Sequence, residues 1–289
     1  MRPLVASPQG DAISILDQTL LPHREVWLRL QSLEAVAEAI RGMRVRGAPL
    51  IGVTAAYGLS LALRGDPSDQ ELDHAVRVLG ATRPTAVNLG WALTRVAAAA
   101  RTAAPPERAV RAFQEAETIA WEDVAACRAI GDRGLPLLQG LFLAAGSSRP
   151  VQVLTHCNAG WLAALEYGTA LAPVYRAHEE GLPVHVWVDE TRPRNQGWLT
   201  AWELGRAGVP HTVVTDNASG HLLQEQAGVQ EAAARAAVLL VDLEPVPAQL
   251  GHLGRHLVGV VVVLGDVELL TLGEVADGVH EVALLVGQP

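Results

Sequence analysis

Apolar residues recur at three- and four-residue spacing through SLEAVAEAIRGM (residues 32–43), and the run ends near a glycine, so the pattern predicts an amphipathic helix. PLIGVTAAYGLSLALRG (49–65) is almost wholly small and apolar and predicts a helix buried on all sides. DQELDHAVRVLGATRP (69–84) and TAVNLGWALTRVAAAARTAAPP (85–106) predict two more, with Pro84 and Pro105 as punctuation. A further helix over residues 107–139 leads into the next part, so the first hundred or so residues read mainly as helical. From Val151 the rhythm changes. VQVLTHC, PVHVWVDET and PHTVVTD predict strands, and AGWLAALEYGTALAPVYRAHEEG, QGWLTAWELGRAG and ASGHLLQEQ predict helices between and after them.

Strands alternating with helices predict an α/β fold with a doubly wound parallel sheet, where ligands sit outside the carboxyl ends of the strands. The expected organisation is a mainly helical domain over residues 1–115 and a Rossmann-like domain over 116–289. Beyond Ser219 the composition shifts. From Val238 to the last residue there is no aromatic residue, asparagine, serine or isoleucine, and two valine-rich segments are strand candidates. Long apolar strands with so little punctuation are aggregation-prone when exposed, which predicts poor solubility.

Composition narrows the chemistry. The apolar fraction of 49% suits a packed globular chain, and the net charge of −9 disfavours a nucleic-acid or anionic-membrane binder. All 22 basic side chains other than histidine are arginine, which excludes Schiff-base catalysis and a lysine-bearing phosphate loop. Two cysteines make no disulfide framework, and the first residues lack the apolar core of a signal peptide. A cytoplasmic setting is the expectation, with no membrane association and no metal or cofactor.

Three consecutive strand ends carry reactive groups: Thr155, His156 and Cys157; then Asp189, Glu190, Thr191 and Arg192; then Asp216 and Asn217. An arbitrary cysteine is more often a small packed hydrophobe. At a strand's carboxyl end leading into a helix, however, Cys157 would have its thiolate favoured by the helix dipole. Arg46, Gly47 and Ala48 precede the buried helix, and Arg83 precedes Pro84 and another helix start. Each alone suits a solvated turn, but two arginine-bearing helix entrances in an acidic chain point to a small anionic ligand.

VRGAPLIGVTAAYGLSLAL, TRPTAVNLGWAL, VLTHCNAGWLAALEYGTAL, VWVDETRPRNQGWLTAWEL and VPHTVVTDNASGHLL together resemble the methylthioribose-1-phosphate isomerases, relatives of the alpha, beta and delta subunits of translation initiation factor 2B. ILDQTLLP near the start resembles the N-terminal strand of that family. The resemblance runs from about residue 13 to about residue 224. It implies a helical N-terminal domain, a Rossmann-like C-terminal domain, a homodimer, and isomerisation of a sugar phosphate, 5-methylthioribose 1-phosphate, to 5-methylthioribulose 1-phosphate in methionine salvage. Position by position it makes Cys157 the catalytic cysteine, Arg46, Gly47 and Ala48 the phosphate- and substrate-binding loop, and Arg83 and Gln196 substrate contacts.

The resemblance stops near Gln224. The Gly-Ala-Asp-Arg motif that would supply a catalytic aspartate is missing, as is a later Asn-Lys pair, and the break suggests an altered reading frame or a rearranged tail. Asp242, after AAVLLV, is the best positional stand-in for that aspartate, and Asp266 is the second; either also suits an ordinary strand-end turn. The alternatives are a catalytically inactive sugar-phosphate or nucleotide-binding relative of the initiation-factor subunits, and an enzyme acting on ribose 1,5-bisphosphate. THCNAG and ETRPRNQG disfavour the last.

Overall fold

The computed structural model describes residues 2–226, 236–240, 261–264 and 283–285, with side chains described through Leu222. Two compact units emerge: residues 1–126 with 161–166, and residues 127–160 with 167–289. The second interval is interrupted because the chain leaves the second unit after Gly160, spends six residues in the first, and returns at Tyr167.

The first unit opens with an antiparallel sheet of β1 (Leu4–Ala6), β2 (Ile13–Leu16) and β3 (Trp27–Leu30), paired in that order with Ala6 opposite Ile13 and Ile13 opposite Leu30. The helical reading of this region missed the sheet, apart from the strand that the family resemblance implied at ILDQ. Strands of three or four residues are too short to establish a clear period. Helices α1 (Leu33–Arg41), α2 (Ala48–Gly65), α3 (Asp69–Gly80) and α4 (Val87–Arg101) follow where periodicity puts them. Ser32 caps α1 by accepting the Ala35 N–H, and Ser68 caps α3 by accepting that of Glu71.

Helix α2 is the core of this unit, with every residue from Leu50 to Leu63 buried. Its aliphatic hydroxyls are satisfied within the helix, Thr54 Oγ1 donating to the Leu50 carbonyl at 2.6 Å and Ser60 Oγ to that of Tyr57 at 2.8 Å, while the Tyr57 hydroxyl donates to Glu117 on the later helix of residues 108–144. Gly58 lets α1 approach, since a Cβ there would stand 2.7 Å from Val36 Cγ1. A 37-residue helix, α5 (Arg108–Ala144), gives its first part to this unit and the rest to the second.

In the second unit the parallel strands are β4 (Val151–Thr155), β5 (Val184–Asp189) and β6 (His211–Val214), with Val151 opposite Val184 and Asp189 opposite Val214. Helices α6 (Ala172–Glu179) and α7 (Gly197–Ala207) make the two crossovers, and α8 (Ser219–Gln226) follows β6. The helix expected over residues 159–181 is largely absent: one 3-10 turn at Trp161–Ala163 precedes a bent segment, and only α6 is regular. Tyr167 and Gly168 adopt positive φ of 58° and 82°, which breaks the helix, and Pro173 sits in the first turn of α6, where its missing N–H is tolerated.

The sheet order is β6-β5-β4-β8-β7-β9. The valine-rich segments do form strands, β7 (Ala236–Leu240) and β8 (Val261–Leu264), joined by β9 (Ala283–Leu285). All three pair antiparallel, so the parallel winding covers β4 to β6 and the far half of the sheet is antiparallel. No helix among the described residues is long and apolar enough to cross a membrane.

One buried acid deserves a stability test. Asp123 on α5 accepts the Leu165 N–H at 3.1 Å, both within the first unit. Burial pushes its carboxyl up to about 7, against the opposing pull of that hydrogen bond. A carboxyl raised above its unfolded value binds more protons folded than unfolded between the two, so stability falls as pH rises from about 4 to about 7. Chemical denaturation across pH 4–8 should show this slope, and Asp123→Asn should flatten it and stabilise the protein at pH 8 by on the order of 2 kcal/mol.

Candidate functional site

The chemistry-bearing residues of the second unit meet at the carboxyl ends of β4, β5 and β6. After β4 the chain turns sharply, and Cys157 has φ of 67°, a left-handed conformation uncommon for a side chain other than glycine, asparagine or aspartate. Its backbone is held on both sides. The Cys157 N–H donates to Thr191 Oγ1 at 2.7 Å, and the Cys157 carbonyl accepts from Thr200 Oγ1 at 2.8 Å. The sequence argument from a helix dipole fails here, because the chain after Cys157 makes only a single 3-10 turn and α6 starts at Ala172.

Thr191 is itself at φ 59°, just beyond β5. Its hydroxyl donates to the Asp189 carbonyl at 3.0 Å, which leaves its lone pairs to receive Cys157. The carboxylate of Asp216, after β6, accepts both the Thr191 N–H at 2.7 Å and the Arg192 N–H at 2.9 Å. These donations, that from Arg192 foremost, hold the Asp216 carboxyl below the ordinary carboxylate range. The three strand ends are therefore one hydrogen-bonded unit, as their shared position in the sheet suggested.

Beside them His156 Nδ1 lies 3.1 Å from Asp189 Oδ2, while Asp189 Oδ1 accepts from Ser219 Oγ. Single donor atoms of His156, Asp189 and Asp216 fall within 4.8 Å of one another, a set that could hold a metal ion. All three side chains already have protein partners, so the cluster is fully explained as a hydrogen-bond network.

Behind Cys157, Asn158 is buried and its Nδ2 donates to Thr200 Oγ1 at 3.1 Å and to Glu203 Oε1 at 3.0 Å. Glu203 is wholly buried, and Gly160 gives it room: a Cβ there would stand 1.7 Å from Glu203 Oε1. Gly197, first in α7, meets the end of β5 as closely, with a Cβ falling 1.9 Å from the Asp189 carbonyl oxygen. Gln196 immediately precedes this helix, and its side-chain Oε1 is buried with no hydrogen-bond partner among the described residues.

Among the residues singled out from sequence, Cys157 and Gln196 lie in the second unit on adjoining strand-end loops, and Arg46, Gly47, Ala48 and Arg83 lie in the first. Arg46 is 9% exposed. Gly47 has φ of 91°, and a Cβ there would stand 2.3 Å from the Ala163 carbonyl oxygen, so both conformation and space demand glycine. Pro49 occupies the first turn of α2, as anticipated. Arg83 precedes a turn closed by the Ala86 N–H donating to its carbonyl at 2.9 Å, and α4 starts at Val87. Asp242 and Asp266 lie outside the described residues. Sequence reasoning missed the roles of Thr200, Asn158 and Glu203, which sit inside or beside a helix with nothing local to mark them.

A parallel sheet with functional groups at its strand ends makes this an α/β protein. The Initiation factor 2 subunit family matches residues 44–233, and the chain belongs to this family. Within it, the chain is 60% identical over 216 residues to the methylthioribose-1-phosphate isomerase of Methylocella silvestris, covering 74% of this chain and 59% of that protein. It is 58% identical over 223 residues to the enzyme of the same name from Dechloromonas aromatica, covering 77% and 61%. The chain thus spans about three fifths of the length of these relatives. Two solved structures share the fold. One is translation initiation factor eIF-2B subunit delta from A. fulgidus, with TM-score 0.68, 37% identity, and coverage of 78% of this chain and 65% of that one. The other is 5-methylthioribose 1-phosphate isomerase from Pyrococcus horikoshii, with TM-score 0.67, 35% identity, and coverage of 78% and 62%.

Gly160→Ala should destabilise the protein by about 2–4 kcal/mol in urea denaturation, since the methyl group would displace the buried Glu203 carboxylate and break its bond to Asn158.

Proposed function

We propose that this chain acts as an aldose–ketose isomerase on 5-methylthioribose 1-phosphate. The observation that carries the reading is the 60% identity, over 216 residues, to proteins named for that reaction. Arg46, Gly47 and Ala48 form the phosphate- and substrate-binding loop, Arg83 and Gln196 are further substrate contacts, and Cys157 is the catalytic group. The buried and unpartnered Oε1 of Gln196 supports its assignment, because an acceptor left without a donor suits a ligand hydroxyl. The working protein is a homodimer, as the resemblance implies.

The chemistry requires groups of these kinds. The phosphate on C1 locks the sugar as a ring, so the ring must open with the phosphate still attached before hydrogen moves from C2 to C1. A thiol held in one orientation serves as acid or base for one such transfer. Its partner must be an acid able to protonate the ring oxygen, and Asp242 is the positional choice for that role.

Purified protein incubated with 5-methylthioribose 1-phosphate should form the ketose. Cys157→Ser should lower kcat by about 10²-fold or more, the scale of a lost acid–base group. Arg83→Ala should raise KM by about 10- to 100-fold, the scale of a lost charged hydrogen bond. Asp242→Asn should lower kcat with KM little changed. Tight binding of the sugar phosphate without turnover would instead support a binding protein, a role compatible with the likeness to the initiation-factor subunit.

A further inference from the structure

Both polar backbone groups of Cys157 end on threonine hydroxyls from different positions in the chain. Thr191, beyond β5, takes the N–H at 2.7 Å; Thr200, inside α7, takes the carbonyl at 2.8 Å. Neither hydroxyl is free to turn away. The Thr191 proton is committed to the Asp189 carbonyl at 3.0 Å, and the Thr200 lone pair receives Asn158 Nδ2 at 3.1 Å. Both threonines are buried, with Thr200 at 0% exposure, so no water can replace the hydroxyls cheaply. Asp216 fixes Thr191 from behind by accepting the Thr191 and Arg192 N–H groups.

What the clamp holds is an unfavourable backbone. Cys157 at φ 67° and Thr191 at φ 59° are both left-handed without being glycine, a conformation unfavourable for side chains of their kind. The two strained residues are bonded directly to each other. A change of φ at Cys157 would swing its Cα–Cβ bond and carry the thiol to a new place.

We propose that Thr191 and Thr200 are positioning residues that set the orientation of the Cys157 thiol, with Asp216 anchoring Thr191. This rests on the proposed role of Cys157 as the reactive group, yet it is testable without turnover. Thr191→Val and Thr200→Val keep side-chain shape and remove the hydroxyl, whereas Thr191→Ser and Thr200→Ser keep the hydroxyl.

The first readout is alkylation of Cys157 by iodoacetamide in the full-length protein, followed by peptide mass mapping so that buried Cys127 is scored separately. Each valine variant should change the alkylation rate at least about fivefold or move its pH midpoint, and each serine variant should stay within about twofold of the parent. The second readout is steady-state kinetics on 5-methylthioribose 1-phosphate at a temperature where every variant is folded. There the valine variants should lose at least about tenfold in kcat with a smaller change in KM, and serine should restore it.

Unchanged alkylation in the valine variants, with only a lower melting temperature, would overturn the clamp. If the parent protein shows no turnover but alkylation still separates valine from serine, the clamp stands and the isomerase reading falls. Should a valine variant fail to fold, Asp216→Asn, which keeps one of the two acceptor bonds, takes its place: an alkylation profile identical to the parent's would count against the proposal.

Discussion

The turn after β4 is held by two threonine hydroxyls, which take up the N–H and carbonyl of Cys157. A left-handed cysteine among buried neighbours would otherwise leave two polar groups unpaired and a strained φ uncompensated. Much of the second unit is arranged to supply those hydroxyls. Parallel pairing of β4 with β5 brings Thr191 beside the turn, Gly197 lets α7 start hard against the end of β5, and α7 then delivers Thr200 one turn later. Gly160 allows Glu203 to reach Asn158, which steadies Thr200 in turn.

The same economy of small residues governs the first unit. Helix α2 can be buried from Leu50 to Leu63 because its residues there are mostly alanine, glycine, leucine and valine, and because the hydroxyls of Thr54 and Ser60 bond back to the helix while that of Tyr57 donates to Glu117 on α5. Gly47 permits the close pass of Ala163 just before that helix begins, and Asp123, 42 residues earlier than Leu165, accepts the Leu165 N–H. The six residues from Trp161 to Glu166 are thus received by a glycine and an acid belonging to the helical unit, although the flanking chain on both sides belongs to the sheet.

Much of the architecture was legible in the order of residues. The periodicity around Val36 and Ile40, the almost wholly apolar run from Leu50 to Leu63 and the strand–helix alternation after Val151 each report burial on one face or on all faces, and burial patterns are local. Cys157 at a strand end was visible for the same reason. Of the helix expected from Ala159 to Gly181 only α6 is present, since the apolar residues before it are buried in a bent chain that belongs to two units, and apolar content alone does not distinguish such a segment from a helix. The antiparallel pairing of β7, β8 and β9 was equally hidden, because a valine-rich run carries no mark of its neighbour's direction.

By itself, then, the sequence determined which segments are helix and strand over most of the chain, the family to which they belong, and the candidate residues Arg46, Arg83, Cys157 and Gln196. Tertiary structure alone decided that Cys157 sits in a left-handed turn rather than at a helix start, and that Thr191 and Thr200 hold it there. The reason is separation along the chain. The bonds that fix Cys157 reach 34 and 43 residues ahead, and the room for Glu203 comes from a glycine 43 residues before it. A local pattern records which side of an element meets the core, but not which distant hydroxyl will be waiting there.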